Sequence, residues 1–251
     1  MLDDRGPAIV SIKFILKGGE QEKEEEATGV VIDPSGLILA SNLEFGGQYA
    51  RMGGPTPIPS EIKVLIGDDT QGLEAKFLAR DTELGLAWMQ LKDAPAKPLN
   101  SVDFAKGVNA KVGDGLYVVS LMGKFFDRVP AMSEGRVSAL VKKPRELVIP
   151  SFGLASTELG IPVFNEKGEV IGVTTLILPD EEEVAGIPGG MRAALRGVTR
   201  SMILPAAEVV AATKRAKETA ANAPAATEEP KAEEPKAEEK KDEVKPAEQP
   251  K

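Results

Sequence analysis

Apolar and β-branched residues recur along the first two hundred positions in short runs broken by turn residues, and helical spacing is confined to the C-terminal part. The runs predict strands at 8–16, 28–32, 37–40, 61–66, 73–80, 86–92, 116–121, 133–141, 146–149, 162–165 and 170–177. Between the second and third, Asp33-Pro34-Ser35-Gly36 has turn chemistry, because proline presets φ and glycine accepts positive φ. Strand spacing of roughly 10–15 residues predicts an all-β chain folded as barrels or a sandwich. Residues 18–26, with five glutamates, read as a charged loop, 53–60 as a Pro-rich loop, and 92–106 as the connection between two halves. One helix is predicted over 206–221, rich in Ala, Lys and Glu, with Pro205 in its first turn.

Composition changes at residue 222. From there to Lys251 the chain holds six Lys, nine Asp or Glu and five Pro, a net charge of 6 − 9 = −3, and Val244 is the one large apolar residue. Glu-Glu-Pro-Lys-Ala occurs at 228–232 and again at 233–237. Burial cannot offset the ordering entropy of such a segment, so 222–251 reads as a disordered acidic, Lys- and Pro-rich tail.

Two absences narrow the chemistry. The chain contains no histidine, which removes imidazole bases, ligands and proton shuttles, and no cysteine, which removes disulfides, thiol nucleophiles and thiolate metal sites. Only hard cations such as calcium or magnesium would suit the remaining carboxylates, and no cofactor is expected. A net charge of −8 disfavours binding to nucleic acid. No apolar run approaches the roughly 18 residues of a membrane span, and the acidic Met1-Leu2-Asp3-Asp4 start does not read as a signal peptide.

Three segments carry a family pattern. Ala27-Thr28-Gly29-Val30-Val31-Ile32-Asp33-Pro34-Ser35-Gly36-Leu37-Ile38-Leu39-Ala40-Ser41-Asn42 resembles the strand–turn–strand that opens the first barrel of HtrA/DegP-type, trypsin-like serine proteases. Ala75–Asp81 followed by Leu84-Gly85-Leu86-Ala87 resembles the stretch around that family's aspartate, and Gly160-Ile161-Pro162-Val163-Phe164-Asn165 through Val173 resembles the stretch around its nucleophile. Ser133–Leu140 and Ile203-Leu204-Pro205 add supporting matches, so the resemblance spans roughly 8–215. It implies two six-stranded antiparallel β-barrels with one C-terminal helix, divided as a first lobe at 1–98, a second at 99–204, the helix at 205–221 and the tail at 222–251.

The same alignment removes the chemistry. The positions of the family's histidine, aspartate and serine hold Leu43, Gly85 and Leu159. A serine hydroxyl attacks only when a base takes its proton, and loss of the unit costs on the order of 10⁶-fold in rate. The vestigial oxyanion loop would be Thr157, Glu158 and Gly160, with Ile161 replacing a further family glycine and so expected to suit that conformation poorly. If the family geometry holds, Leu43 and Leu159 face each other and fill the former centre, each burial stabilising by about 1.5–3 kcal/mol. Substitute residues are few. Ser156 and Thr157 read as loop polar residues, and Ser60-Glu61-Ile62-Lys63 fits S-x-x-K at the start of a strand without its partner motifs. Glu44 and Glu158 flank two lost positions and read as solvated loop charges, as does the run 22–26.

The expected function is that of a catalytically inactive HtrA-like protein that binds a peptide or protein partner or acts as a scaffold. The alternatives are a serine endopeptidase with a relocated or partner-completed active site, and a structural envelope protein with a charged spacer tail. The family resemblance implies a periplasmic or otherwise extracytoplasmic location and leaves the oligomeric state open.

Overall fold

The computed structural model of the chain describes residues 1–18, 21–47, 49, 54, 56–143, 145–151, 158–176 and 202–222. Along β1 (Ile9–Gly18), Val10, Ile12, Phe14 and Leu16 join a cluster with Ile38, Ala40, Ala87 and Met89. Ile9 belongs instead to a second cluster with Leu37, Leu39, Leu86 and Trp88. The split follows the two-residue period of a strand, and it shows that β3 (Leu37–Ser41) and β6 (Leu86–Leu91) are buried on both faces.

With β2 (Gln21–Asp33), β4 (Ser60–Leu65) and β5 (Leu73–Asp81), these strands close into an antiparallel barrel in the order β1-β2-β3-β6-β5-β4. The second barrel contains β7 (Gly115–Leu121), β8 (Pro130–Val141), β9 (Leu147–Pro150), β10 (Pro162–Phe164), β11 (Val170–Thr175) and β12 (Met202–Pro205). It closes in the order β10-β11-β12-β9-β8-β7. The expected all-β fold of two six-stranded antiparallel barrels with one C-terminal helix is therefore the one observed.

Two local readings change. Residues 21–26 are strand rather than loop: β2 begins at Gln21 and pairs with β1 from Gly18↔Gln21 to Lys13↔Glu26 and onward. The glutamates are accommodated because the extension lies beyond the barrel wall and meets lysines across the ladder, as in the 3.2 Å contact of Lys17 with Glu22. The twelfth strand, β12, has no counterpart among the predicted strands, and its pairing with β11 and β9 defines it. Pro205 ends this strand, and the helix begins at Ala206. The expected disorder of 222–251 concerns residues that, beyond Asn222, lie outside the described ones, as does the end of the strand predicted at 170–177.

The cluster of Trp88, Leu39 and Leu86 continues into the second barrel through Leu116, Val118 and Val173. It also takes in Val209, Ala212 and Ala216 of the C-terminal helix α2 (Ala206–Asn222); a short helix α1 (Leu2–Arg5) opens the chain. The two lobes and α2 thus share one apolar seam. Trp88 Nε1 donates to Thr213 Oγ1 at 3.0 Å, and Arg215 lies 3.7 Å from Asp81. At the other end, Arg5 in α1 donates to Gly168 O of the second barrel at 2.8 Å, just before β1 enters the first. Among the described residues no helix is long and apolar enough to cross a membrane.

Thr213→Ala leaves the indole N–H buried without its partner and is expected to cost about 1–3 kcal/mol. Urea unfolding followed by the emission of Trp88, the single tryptophan, measures it.

Candidate functional site

Leu43, Gly85 and Leu159, the positions that the resemblance assigns to the triad, come together at the seam. Leu43 follows β3 in a tight turn over Leu43–Gly47. Its N–H donates to Ser41 Oγ at 3.3 Å, and the Asn42 N–H donates to Gly85 O at 2.9 Å, which ties the turn to the start of β6. Gly85 has φ +68°, and a Cβ there would stand 3.0 Å from Thr175 Oγ1 on β11. Gly160 has φ +77°, and a Cβ there would stand 2.2 Å from the Ser41 nitrogen. The backbone beside Leu159 therefore lies directly on the backbone beside Leu43. Asn42 Oδ1 is buried at this junction and has no hydrogen-bond partner among the described residues, an arrangement that costs about 1–3 kcal/mol.

The loop before β10 is bound tightly to β11. Gly160 N donates to Thr174 O at 2.8 Å, Ile161 N donates to Thr174 Oγ1 at 2.9 Å, and Thr174 Oγ1 donates to the Glu158 carbonyl. The Gly160 amide thus points into the second barrel. Ile161 is not strained: the positive φ belongs to Gly160, and Ile161 is fully buried in the seam cluster. Thr157, like Ser156, lies outside the described residues.

A cavity of about 510 Å³ opens beside this junction, lined by Glu24, Glu25, Glu26 and Glu44 of the first barrel and by Leu121, Lys124 and Leu159 of the second, among others. Leu159 is 8% exposed and Leu43 half-buried, and neither belongs to either hydrophobic cluster. Leu159 is thus buried and at the same time forms part of the cavity wall. The glutamates differ from the expected solvated charges. Glu158 is 8% exposed and accepts from Ser133 Oγ at 2.5 Å, while burial and then the neighbouring Glu25 charge hold the Glu44 carboxyl above its ordinary value.

Glu26 is the best-held acid of the group. Arg128 reaches it from the β7–β8 loop, with Nε donating to Oε1 at 2.7 Å and Nη2 to Oε2 at 2.8 Å, and Ser11 Oγ donates to Oε1 at 2.7 Å. Burial pushes the carboxyl up, but the Arg128 fork, the Ser11 hydroxyl and the charges of Arg128 and Lys13 outweigh it, so Glu26 sits below its ordinary value. Asp127 and Arg128 both adopt left-handed backbone (φ +56° and +53°), a strained pair that aims the guanidinium across the seam. Nothing in the sequence marked Arg128 for this role. A second pair across the seam joins Arg145 to Glu83.

Chemically the site is poor in reactive groups. Leu43 cannot accept a proton, Gly85 has no side chain to orient a base, and Leu159 has no oxygen. Two serine–carboxylate contacts do exist, Ser11–Glu26 and Ser133–Glu158. In the first, the acid must stay ionised to hold Arg128, which makes it a weak base. Ser60 lies on β4, where its Oγ is 3.5 Å from the Ile15 carbonyl. Among the described residues no three acidic side chains converge as a cation site, the run 22–26 included.

The family description of the trypsin-like peptidase domain matches residues 27–173. The chain belongs to the trypsin-like peptidase family. A similar solved structure is the MamO protease domain from Magnetospirillum magneticum in its apo form, with a TM-score of 0.54, 14% identity, and coverage of 84% of this chain and 98% of that one. At that identity the likeness concerns the fold. No curated protein matches the chain.

Gly160→Ala is expected to destabilise the protein by at least about 2 kcal/mol, since a left-handed residue gains a Cβ where the Ser41 backbone already stands; thermal unfolding measures it. For Glu26, a folded value below the ordinary 4.5 means that its stabilisation is present above that pH and is lost as pH falls through it. Glu26→Gln should therefore cost about 1–3 kcal/mol at pH 7, and the gap to the wild type should close at the acid end of a urea-denaturation series.

Proposed function

We propose that this trypsin-like chain is catalytically inactive and serves as a peptide- or protein-binding module. The supporting observation is the juncture itself: three triad-aligned positions converge with no base, no orienting acid and no nucleophile, while the cavity beside them stays open. Binding in a cleft of this kind uses main-chain hydrogen bonds and side-chain pockets, and needs none of the lost groups. Burial of Glu158 and of the Gly160 amide against Thr174 also favours a rigid wall over a catalytic loop. The proposed setting is extracytoplasmic, and its support is the HtrA/DegP resemblance alone.

A second reading, a hydrolase with a relocated nucleophile, draws on the Ser11–Glu26 and Ser133–Glu158 contacts. Incubation with casein and with a serine-reactive phosphonate separates the two. The inactive reading expects neither turnover nor covalent labelling. Stoichiometric labelling that disappears in Ser11→Ala or Ser133→Ala would establish the second.

A further inference from the structure

The strand β2 is longer than the barrel that contains it. Residues 21–30 of β2 pair with β1, but β3 covers only Gly29–Asp33, so among the described residues 21–28 have no strand on their other edge. The cavity runs along this edge: Glu24 and Glu26, on one face of the strand, and Glu25 and Ala27, on the other, all line it. Side chains of both faces border one cavity because it reaches past the strand's edge, where unpaired N–H and C=O groups point, while Ser11 of β1 lines the part that lies over the face shared with Glu24 and Glu26.

The opposite wall is the β7–β8 loop. Met122, Gly123 and Lys124 line the same cavity, and the loop continues into Phe125 and Phe126, 91% and 52% exposed, stacked edge to face at 5.0 Å. Val129 and Met132 are exposed beside them. Contiguous exposed apolar residues on one hairpin mark an interaction surface. The charge of the cavity selects its partner: Glu24, Glu25 and Glu44 stand against Lys124, Glu26 being neutralised by Arg128 and Glu25 also contacting Lys23.

Resting on the binding role proposed above, we infer that the cavity takes an extended segment of another protein by strand addition to the free edge of β2, and that the segment carries Lys or Arg toward Glu24 and Glu44 and an aromatic or aliphatic residue that seats on Phe125 and Phe126. A basic residue suits this edge, because Glu24 on β2 and Glu44 across the cavity lack the guanidinium fork that neutralises Glu26, and opposite charges on paired strands attract. The chain's own residues 223–251 fit poorly, with net charge −3 and no aromatic residue.

The test uses the full chain and fluorescence anisotropy with three labelled peptides: Lys-Val-Lys-Phe-Lys-Val, its Glu-for-Lys counterpart, and the Lys peptide N-methylated at alternate backbone amides. The Lys peptide is expected to bind at least about tenfold tighter than the Glu peptide, and N-methylation on the pairing edge to abolish binding. Glu24→Gln with Glu44→Gln should weaken the Lys peptide several-fold and reduce its salt dependence. Phe125→Ala with Phe126→Ala should weaken it while leaving the unfolding temperature within a few degrees of wild type, since both rings are exposed. Equal affinity for Lys and Glu peptides overturns the charge selection and leaves the binding role standing. Binding untouched by N-methylation or by the hairpin variants overturns the location. If no peptide binds, with or without residues 223–251, the binding role falls as well.

Discussion

The approach of Gly160 to the Ala40–Ser41 backbone governs the architecture of the site. No Cβ fits between them, and the glycine's left-handed conformation lets the loop before β10 turn at the moment of contact. Through that contact a residue of the second barrel reaches the end of β3 in the first. The hydrogen bond from Asn42 to Gly85 then brings in the start of β6, and Gly85 in turn sits against Thr175 of β11. A closed circuit of backbone contacts thus fixes Leu43, Gly85 and Leu159 relative to one another without help from their side chains. The frame of the junction is therefore held mainly by glycine, amide and carbonyl groups, with the Thr175 hydroxyl against Gly85, and does not depend on what Leu43 and Leu159 carry as side chains.

Around this frame the energetics divide into an apolar and a charged part. The apolar part is the seam, where the outer faces of β3 and β6 meet the second barrel and α2, with Trp88 at its centre. Burial there is indifferent to pH. The charged part lies at the cavity, where Arg128 spans the seam to Glu26 from two consecutive left-handed residues. That strain is offset by a bidentate, partly buried ion pair, the kind that outweighs its desolvation when both oxygens are satisfied. Glu44 goes the opposite way, with burial and a like charge disfavouring its ionised form. Two acids that line one cavity, Glu26 and Glu44, therefore experience opposed environments, and the cavity's field comes from those that lack a strong counter-ion.

Much of the fold was legible because strands and turns leave local marks. The Asp33-Pro34-Ser35-Gly36 turn, the two-residue alternation in β1, and the glycines before β10 specify local geometry by steric rules that act within a few residues. The charged extension of β2 was misread for the converse reason. A run of glutamates lacks intrinsic strand preference, and it becomes strand only because β1 offers a ladder and lysines across from it. β12 is four residues long and gains its identity from closing a barrel.

The sequence by itself determined what this chain cannot do with a side chain. With no histidine anywhere, an imidazole proton acceptor is absent as a matter of composition, and Leu43, Gly85 and Leu159 themselves offer neither a proton acceptor nor a hydroxyl. Only the tertiary structure decided what stands in their place. That Leu159 lines a cavity, whether Glu158 would be wet or buried against Ser133, and whether Arg128 would find Glu26 across 102 positions all depend on how two barrels pack. Such contacts join segments far apart in the chain, and their energies arise from burial and desolvation that do not exist until the lobes have closed on each other.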